Sequence, residues 1–164
     1  MNIGIIGFGI MGEGLSQYLS CFEHIKKIYI KTGKKKIFNK NIFLKKLKIN
    51  CRLLKKNFNE EMADKIVVVE DYNEFNKCSI VIESIIENLK SKSDLLKDLS
   101  EKLSSDIIIS SNTSSLTQKQ LIGSIKYPDR FCCIHFFNPL WNTKYVELII
   151  NENFDKKIIE NLFN

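Results

Sequence analysis

A glycine-rich turn between an apolar run and a helix-like segment constrains this chain more than any other feature. Residues 2–6 (Asn2-Ile3-Gly4-Ile5-Ile6) have the length and character of a buried strand. Gly7-Phe8-Gly9-Ile10-Met11-Gly12 follows at once, and residues 10–22 place Leu15, Tyr18, Leu19 and Phe22 at helical spacing. G-x-G-x-x-G in that context is the turn of a strand–helix–strand unit that receives a dinucleotide. The first glycine permits the tight turn, the second lets the backbone approach a diphosphate, and the third lets helix and strand pack closely. The helix that follows offers unpaired N–H groups and a positive dipole end to phosphates. Gly7, Gly9, Ile10, Met11 and Gly12 are therefore expected to bind the cofactor. The plainer alternative is a glycine turn that holds no ligand.

Further apolar runs predict strands at 28–30, 66–69, 79–82, 107–109, 130–135 and 145–150. Helical periodicity covers 36–57, where Phe38, Ile42, Phe43, Leu47, Leu54 and Phe58 fit one face; two helices with a bend near Asn50 fit equally well. A short helix is expected from Asn59. A longer one runs from Asn88 to Leu103, with Leu89, Leu95, Leu96, Leu99 and Leu103 as its apolar stripe. Thr117-Gln118-Lys119-Gln120 has capping-box spacing, and Asp155–Phe163 reads as a terminal helix. This alternation predicts an α/β fold of Rossmann type, with a doubly wound, mostly parallel sheet and a helical excursion at about 35–63. The 164 residues suit one dinucleotide-binding domain, 1–164.

Composition narrows the function classes. No run of 18 apolar residues occurs, so no membrane span is expected. The N-terminus has neither the charged region nor the cleavage site of a signal peptide. Five cysteines without C-x-x-C spacing argue against a disulfide scaffold or a metal site and suit the cytoplasm. Adjacent Cys132 and Cys133 should face opposite sides of their strand as packing residues.

Charge is segregated: residues 24–59 hold thirteen Lys or Arg and no Asp or Glu. Such a block points to a local phosphate-bearing partner, with a solvated helix face as the bland alternative. Nucleic acid is disfavoured, because neither a helix-turn-helix nor an aromatic-interleaved RNA motif accompanies it. The second strand should end on an acid that holds a ribose 2′-hydroxyl. Lys31 stands there, followed by Thr32. That departure leaves NADP open beside NAD, with a solvent-facing Lys31 and a ribose held by backbone as the alternative reading.

From residue 80 onward four motifs occur in order: Ile82-Glu83-Ser84-Ile85-Ile86-Glu87-Asn88-Leu89-Lys90-Ser91-Lys92, Ser111-Asn112-Thr113-Ser114-Ser115, His135-Phe136-Phe137-Asn138-Pro139 and Val146-Glu147. This series resembles the NAD-binding N-terminal domain of the 3-hydroxyacyl-CoA dehydrogenase family, over essentially the whole chain. The resemblance implies fatty acid metabolism and hydride exchange between NAD and a 3-hydroxyacyl or 3-oxoacyl thioester of CoA, with acyl carrier protein as an alternative thiol. It implies that His135 is the catalytic acid/base, Glu147 its paired carboxylate and Ser114 the partner of the substrate 3-oxygen. Glu87 and Lys92 match positions near the nicotinamide ribose and the substrate. Asn112 and Asn138 belong with the cofactor-side residues, and the excursion's lysines would meet the CoA phosphates.

The family also has a helical domain after this one, which closes the substrate cleft. The sequence here stops before it, which leaves open a fragment, a truncated product or a partner chain that supplies it. Two function classes follow: an oxidoreductase domain, or a cofactor-binding module with little activity of its own. Trp141 either lines an acyl pocket or covers the sheet edge, and the second is favoured.

Overall fold

The computed structural model describes residues 1–33, 37–143, 145–155 and 157–158. The Lys34-Lys35-Lys36 run, and most of the helix expected at 155–163, lie outside them.

Seven strands form one sheet: β1 (Asn2–Ile6), β2 (Lys27–Lys31), β3 (Ile66–Val68), β4 (Ile80–Glu83), β5 (Ile108–Ser111), β6 (Phe131–Phe136) and β7 (Val146–Ile150). Their order is β3-β2-β1-β4-β5-β6-β7, parallel except for β7, which runs antiparallel to β6. This is the doubly wound Rossmann arrangement. Strand order reverses between β1 and β4, and the carboxyl ends of strands at such a switch point leave a ligand crevice.

Alternation along the strands divides the core. Ile28, Ile30, Ile80, Ile82 and Cys132 face one side, where α1 (Ile10–Ser20) and α2 (Lys40–Leu53) pack with Leu15, Phe43 and Leu47. Tyr29, Val81, Ile109 and Cys133 face the other, against Leu96 and Leu99 of α3 (Leu89–Lys102) and Leu121 of α4 (Gln118–Ile122). Each fully buried aliphatic side chain contributes about 1.5–3 kcal/mol.

The helix ends differ from the sequence expectation for local reasons. α1 stops at Ser20 rather than residue 22, because Lys65 Nζ takes the Ser20 and Phe22 carbonyls at 3.0 and 2.7 Å. α2 starts at Lys40 because the Asn39 side chain caps it, accepting from Ile42 N–H at 3.1 Å. It is one helix with no break near Asn50. It ends where Lys55 turns left-handed at φ 54° and Lys56 N–H reaches back to the Cys51 carbonyl. Ile42 is a correction: it is 52% exposed, and Asn50 and Cys51 take the inner face beside Phe43 and Leu47. The 59–65 segment is a 3-10 helix, Glu60–Lys65. Among the described residues no helix is long and apolar enough to cross a membrane.

Candidate active site

The glycine turn closes over the sheet as its sequence requires. Gly7 has φ 97°, and a Cβ there would sit 2.4 Å from the Ser84 carbonyl oxygen. A Cβ on Gly12 would sit 1.9 Å from the Gly7 carbonyl oxygen, so α1 approaches β1 only because that side chain is missing. Gly9 is the opposite case: nothing lies within 4 Å of its Cβ position, so backbone at the start of α1 is open on that side. Such a turn fits a diphosphate, whose oxygens would meet the free N–H groups of the helix start.

The turn forms one wall of a cleft of about 850 Å³ across the carboxyl ends of the strands. Gly7, Gly9, Ile10 and Met11 line it, with Lys31, Thr32 and Gly33 at the end of β2. Lys31 Nζ donates to the Glu70 carbonyl and lies 5.0 Å from the Tyr72 ring centroid, so its ammonium rests on the cleft rim. The remaining wall carries Glu87, Asn112, Ser114, His135 and Asn138. Ten of the thirteen residues singled out from the sequence thus share one cavity.

His135 and Glu147 meet through strand register. The antiparallel pairing sets His135 opposite Glu147, with Nδ1 3.3 Å from Oε2. The Phe137 ring packs on the imidazole at 4.3 Å between centroids. The histidine side chain is 20% exposed and the glutamate 55%. With Nδ1 turned to the carboxylate, Nε2 is the nitrogen left to exchange a proton in the cleft. Asn112 ties the loops together: its Oδ1 accepts from Phe136 N–H at 3.1 Å and its Nδ2 donates to Ser84 Oγ at 3.4 Å.

Glu87 organises the Ser111–Ser115 loop. Its Oε1 accepts from Ser114 N–H at 3.0 Å, from Ser115 N–H and hydroxyl at 2.9 and 3.0 Å, and from the Thr113 hydroxyl. Burial would raise this carboxyl, but those donors and Lys92 override it and hold the pKa at about 2. Glu87 is therefore ionised through the neutral range.

Three residues stand apart from the cavity lining. Gly12 packs behind the turn, and Glu147 sits at the sheet edge behind His135. Lys92 is wholly buried, with Nζ 2.6 Å from Glu83 Oε1 and 3.3 Å from Glu87 Oε2. It braces the cleft from behind rather than lining it. Glu83, also wholly buried, was missed in the sequence. The signal was present: residues 92, 96, 99 and 103 share the inner face of α3, and a lysine there demands a buried carboxylate. Trp141 packs on the core and lines a smaller cavity of about 260 Å³ with Lys46, Asn50 and Asn138, between the two α1/α2 helices and the loop after β6. Among the described residues no cluster of His, Cys, Asp and Glu has metal-site geometry.

Comparison with known proteins gives a consistent picture. The family model for the 3-hydroxyacyl-CoA dehydrogenase NAD-binding domain matches residues 2–164. The structure is similar to (S)-3-hydroxybutyryl-CoA dehydrogenase PaaH1 from Ralstonia eutropha, with 26% identity and a TM-score of 0.82 over 98% of this chain and 58% of that one. It is similar to FadB2 from M. tuberculosis, with 25% identity and a TM-score of 0.78 over 92% and 55%. A likeness to 3-hydroxybutyryl-CoA dehydrogenase from Escherichia coli K12 (24% identity, TM-score 0.78, 99% and 35%) bears on the fold alone. The chain thus spans less than two thirds of the length of these proteins.

Proposed function

This chain belongs to the 3-hydroxyacyl-CoA dehydrogenase NAD-binding domain family, and we propose that it interconverts 3-hydroxyacyl and 3-oxoacyl thioesters of CoA in fatty acid metabolism. In this reading residues 1–164 are one dinucleotide-binding unit with its excursion at about 35–63. The observation that carries it is His135, which lines the same crevice as the glycine turn and is backed from the sheet edge by Glu147 at 3.3 Å.

The bound nicotinamide ring would supply the hydride acceptor and donor. The chain's own residues do the rest. Backbone at Gly9, Ile10 and Met11 receives the diphosphate. Ser114, held by Glu87 through its own N–H, presents its hydroxyl to the substrate 3-oxygen. As hydride leaves carbon 3, His135 Nε2 takes the proton from the 3-hydroxyl, and it returns that proton in the reductive direction. Glu147 holds the ring through Nδ1 and stabilises the imidazolium, as the carboxylate of a catalytic triad does. Asn138 supports the nicotinamide side. Lys45, Lys46 and Lys48 on the exposed face of α2 meet the CoA phosphates; acyl carrier protein is the alternative thiol. Five buried, unpaired cysteines suit a reducing compartment such as the cytoplasm.

A second reading has its own support. Glu147 is more than half exposed, and an open, wet site weakens both orientation and electrostatic stabilisation. The chain would then bind cofactor with little turnover unless a partner chain closes the cleft. Absorbance at 340 nm with acetoacetyl-CoA, run separately with NADH and NADPH, tests both. Cofactor consumption abolished by His135→Gln supports the dehydrogenase. Nucleotide binding without consumption at high protein concentration leaves the binding module.

A further inference from the structure

Under the Ser111–Ser115 loop lies a charged cluster that the reaction above does not require in full. Glu83 ends β4 with both carboxylate oxygens engaged: Oε1 by Lys92 Nζ at 2.6 Å and Ile85 N–H at 2.7 Å, Oε2 by the Ser111 hydroxyl. Lys92 Nζ also reaches Glu87 Oε2 at 3.3 Å. Two carboxylates thus share one ammonium, and Lys92 and Glu83 are wholly buried. Glu83 alone balances Lys92, so the network carries one surplus negative charge. That surplus resides on Glu87, the only member of the three that lines the cleft. Glu83 is wholly buried, and burying a second carboxylate beside one ammonium costs several kcal/mol, so a neutral glutamine at residue 83 is the cheaper design unless the charge it adds acts on something.

We propose that the Glu83–Lys92–Glu87 network ranks the two redox forms of the nicotinamide, favouring the cationic oxidised ring over the neutral reduced ring, with Glu83 as the positioning residue that sets the balance. The inference rests on the reading that this cleft seats a nicotinamide dinucleotide. Oxidised and reduced cofactors share their diphosphate and both riboses. A fixed charge near the ring therefore acts on the difference between them. Glu83 and Lys92 lie inside the protein, where salt screens them little, while Glu87, with its side chain 33% exposed, presents the surplus at the cleft wall.

Titration calorimetry of the full chain with NAD⁺ and NADH gives two dissociation constants, and their ratio is the readout. A purely structural loss raises both alike and leaves the ratio unmoved. Glu83→Gln removes the surplus and should raise the oxidised-to-reduced ratio of Kd about fivefold, with the change surviving about 0.5 M salt. Glu83→Gln/Lys92→Met returns the network to one negative charge and should bring the ratio back to within about twofold of the parent. A ratio that stays put in Glu83→Gln overturns the proposal. Should that variant fail to fold by circular dichroism, Glu87→Gln, which also neutralises the network, must raise the same ratio, and an unchanged ratio overturns the proposal equally. A parent chain that binds neither nucleotide defeats the reading of the cleft itself, and the proposal with it. That outcome is distinct from a parent that binds both while its variants keep the ratio.

Discussion

At the scale of single residues, two glycines of one motif have opposite duties. Gly12→Ala would drive a methyl into the Gly7 carbonyl, backbone against backbone, and α1 must lift from β1. We expect a loss of about 2–4 kcal/mol in urea unfolding. Gly9→Ala meets nothing within 4 Å, so its Tm should stay within about 2 °C of the parent. Its methyl would occupy the space a diphosphate needs, and dinucleotide affinity should fall at least about tenfold. A Gly9→Ala protein that binds as the parent does would mean the turn holds no phosphate. Glu87 gives a pH prediction. Its folded pKa, near 2, lies below the ordinary 4.5, so it contributes stability above pH 4.5 that is lost as pH falls toward 2. Urea midpoints recorded between about pH 6 and 2 should fall less steeply in Glu87→Gln than in the parent, with the two curves converging at the acid end. The close packing at Gly12 was legible in the sequence, because a motif states its own geometry. The burial of Lys92 was legible from its place on the α3 stripe, but its partner Glu83 was not, because that partnership exists only once β4 and α3 are side by side.

At the scale of elements, a buried arginine sets where the strand that carries His135 begins. Arg130 is 1% exposed, and its guanidinium donates to the carbonyls of Ser100, Leu103, Ser104 and Ile107. Those carbonyls end α3 and lead into β5, where the helix supplies no donors of its own. The residue after Arg130 starts β6, and His135 follows within that strand. Arg130→Lys keeps the charge but forfeits the fork, leaving buried carbonyls unpaired. We expect a loss of about 2–4 kcal/mol in urea denaturation. A loss under about 0.5 kcal/mol would show that water replaces the guanidinium. Periodicity found the strands because buried parallel strands are short apolar runs. It found α2 but put Ile42 inside, since a lysine- and isoleucine-rich helix offers more apolar positions than one face can bury. Its true start was written in Asn39, a capping residue.

At the scale of the whole molecule, the basic block is confined to β2, α2 and their flanks, while the remainder of the chain is acidic on balance. α2 lies across α1, the helix that the glycine turn begins, and their seam holds the buried Gln17–Asn50 amide pair. Lys46 ion-pairs with Glu13 at 2.7 Å and borders the small cavity that also touches Asn138. The positive surface thus adjoins the cleft wall carrying the His135 loop, where the far end of a CoA thioester would emerge if its acyl carbon lay at His135. Exposed lysine–phosphate pairs are individually weak and are screened by salt. Replacing Lys45, Lys46 and Lys48 together by alanine should therefore weaken CoA binding about tenfold at low ionic strength and flatten its salt dependence. Dinucleotide affinity, if the glycine turn sets it, should stay within about twofold. Calorimetric titrations of CoA and NADH across a salt series separate the two effects. An unchanged CoA affinity would return the basic block to a solvated helix face. Equal losses for both ligands would mean that the excursion steadies the whole cleft rather than contacting one of its occupants.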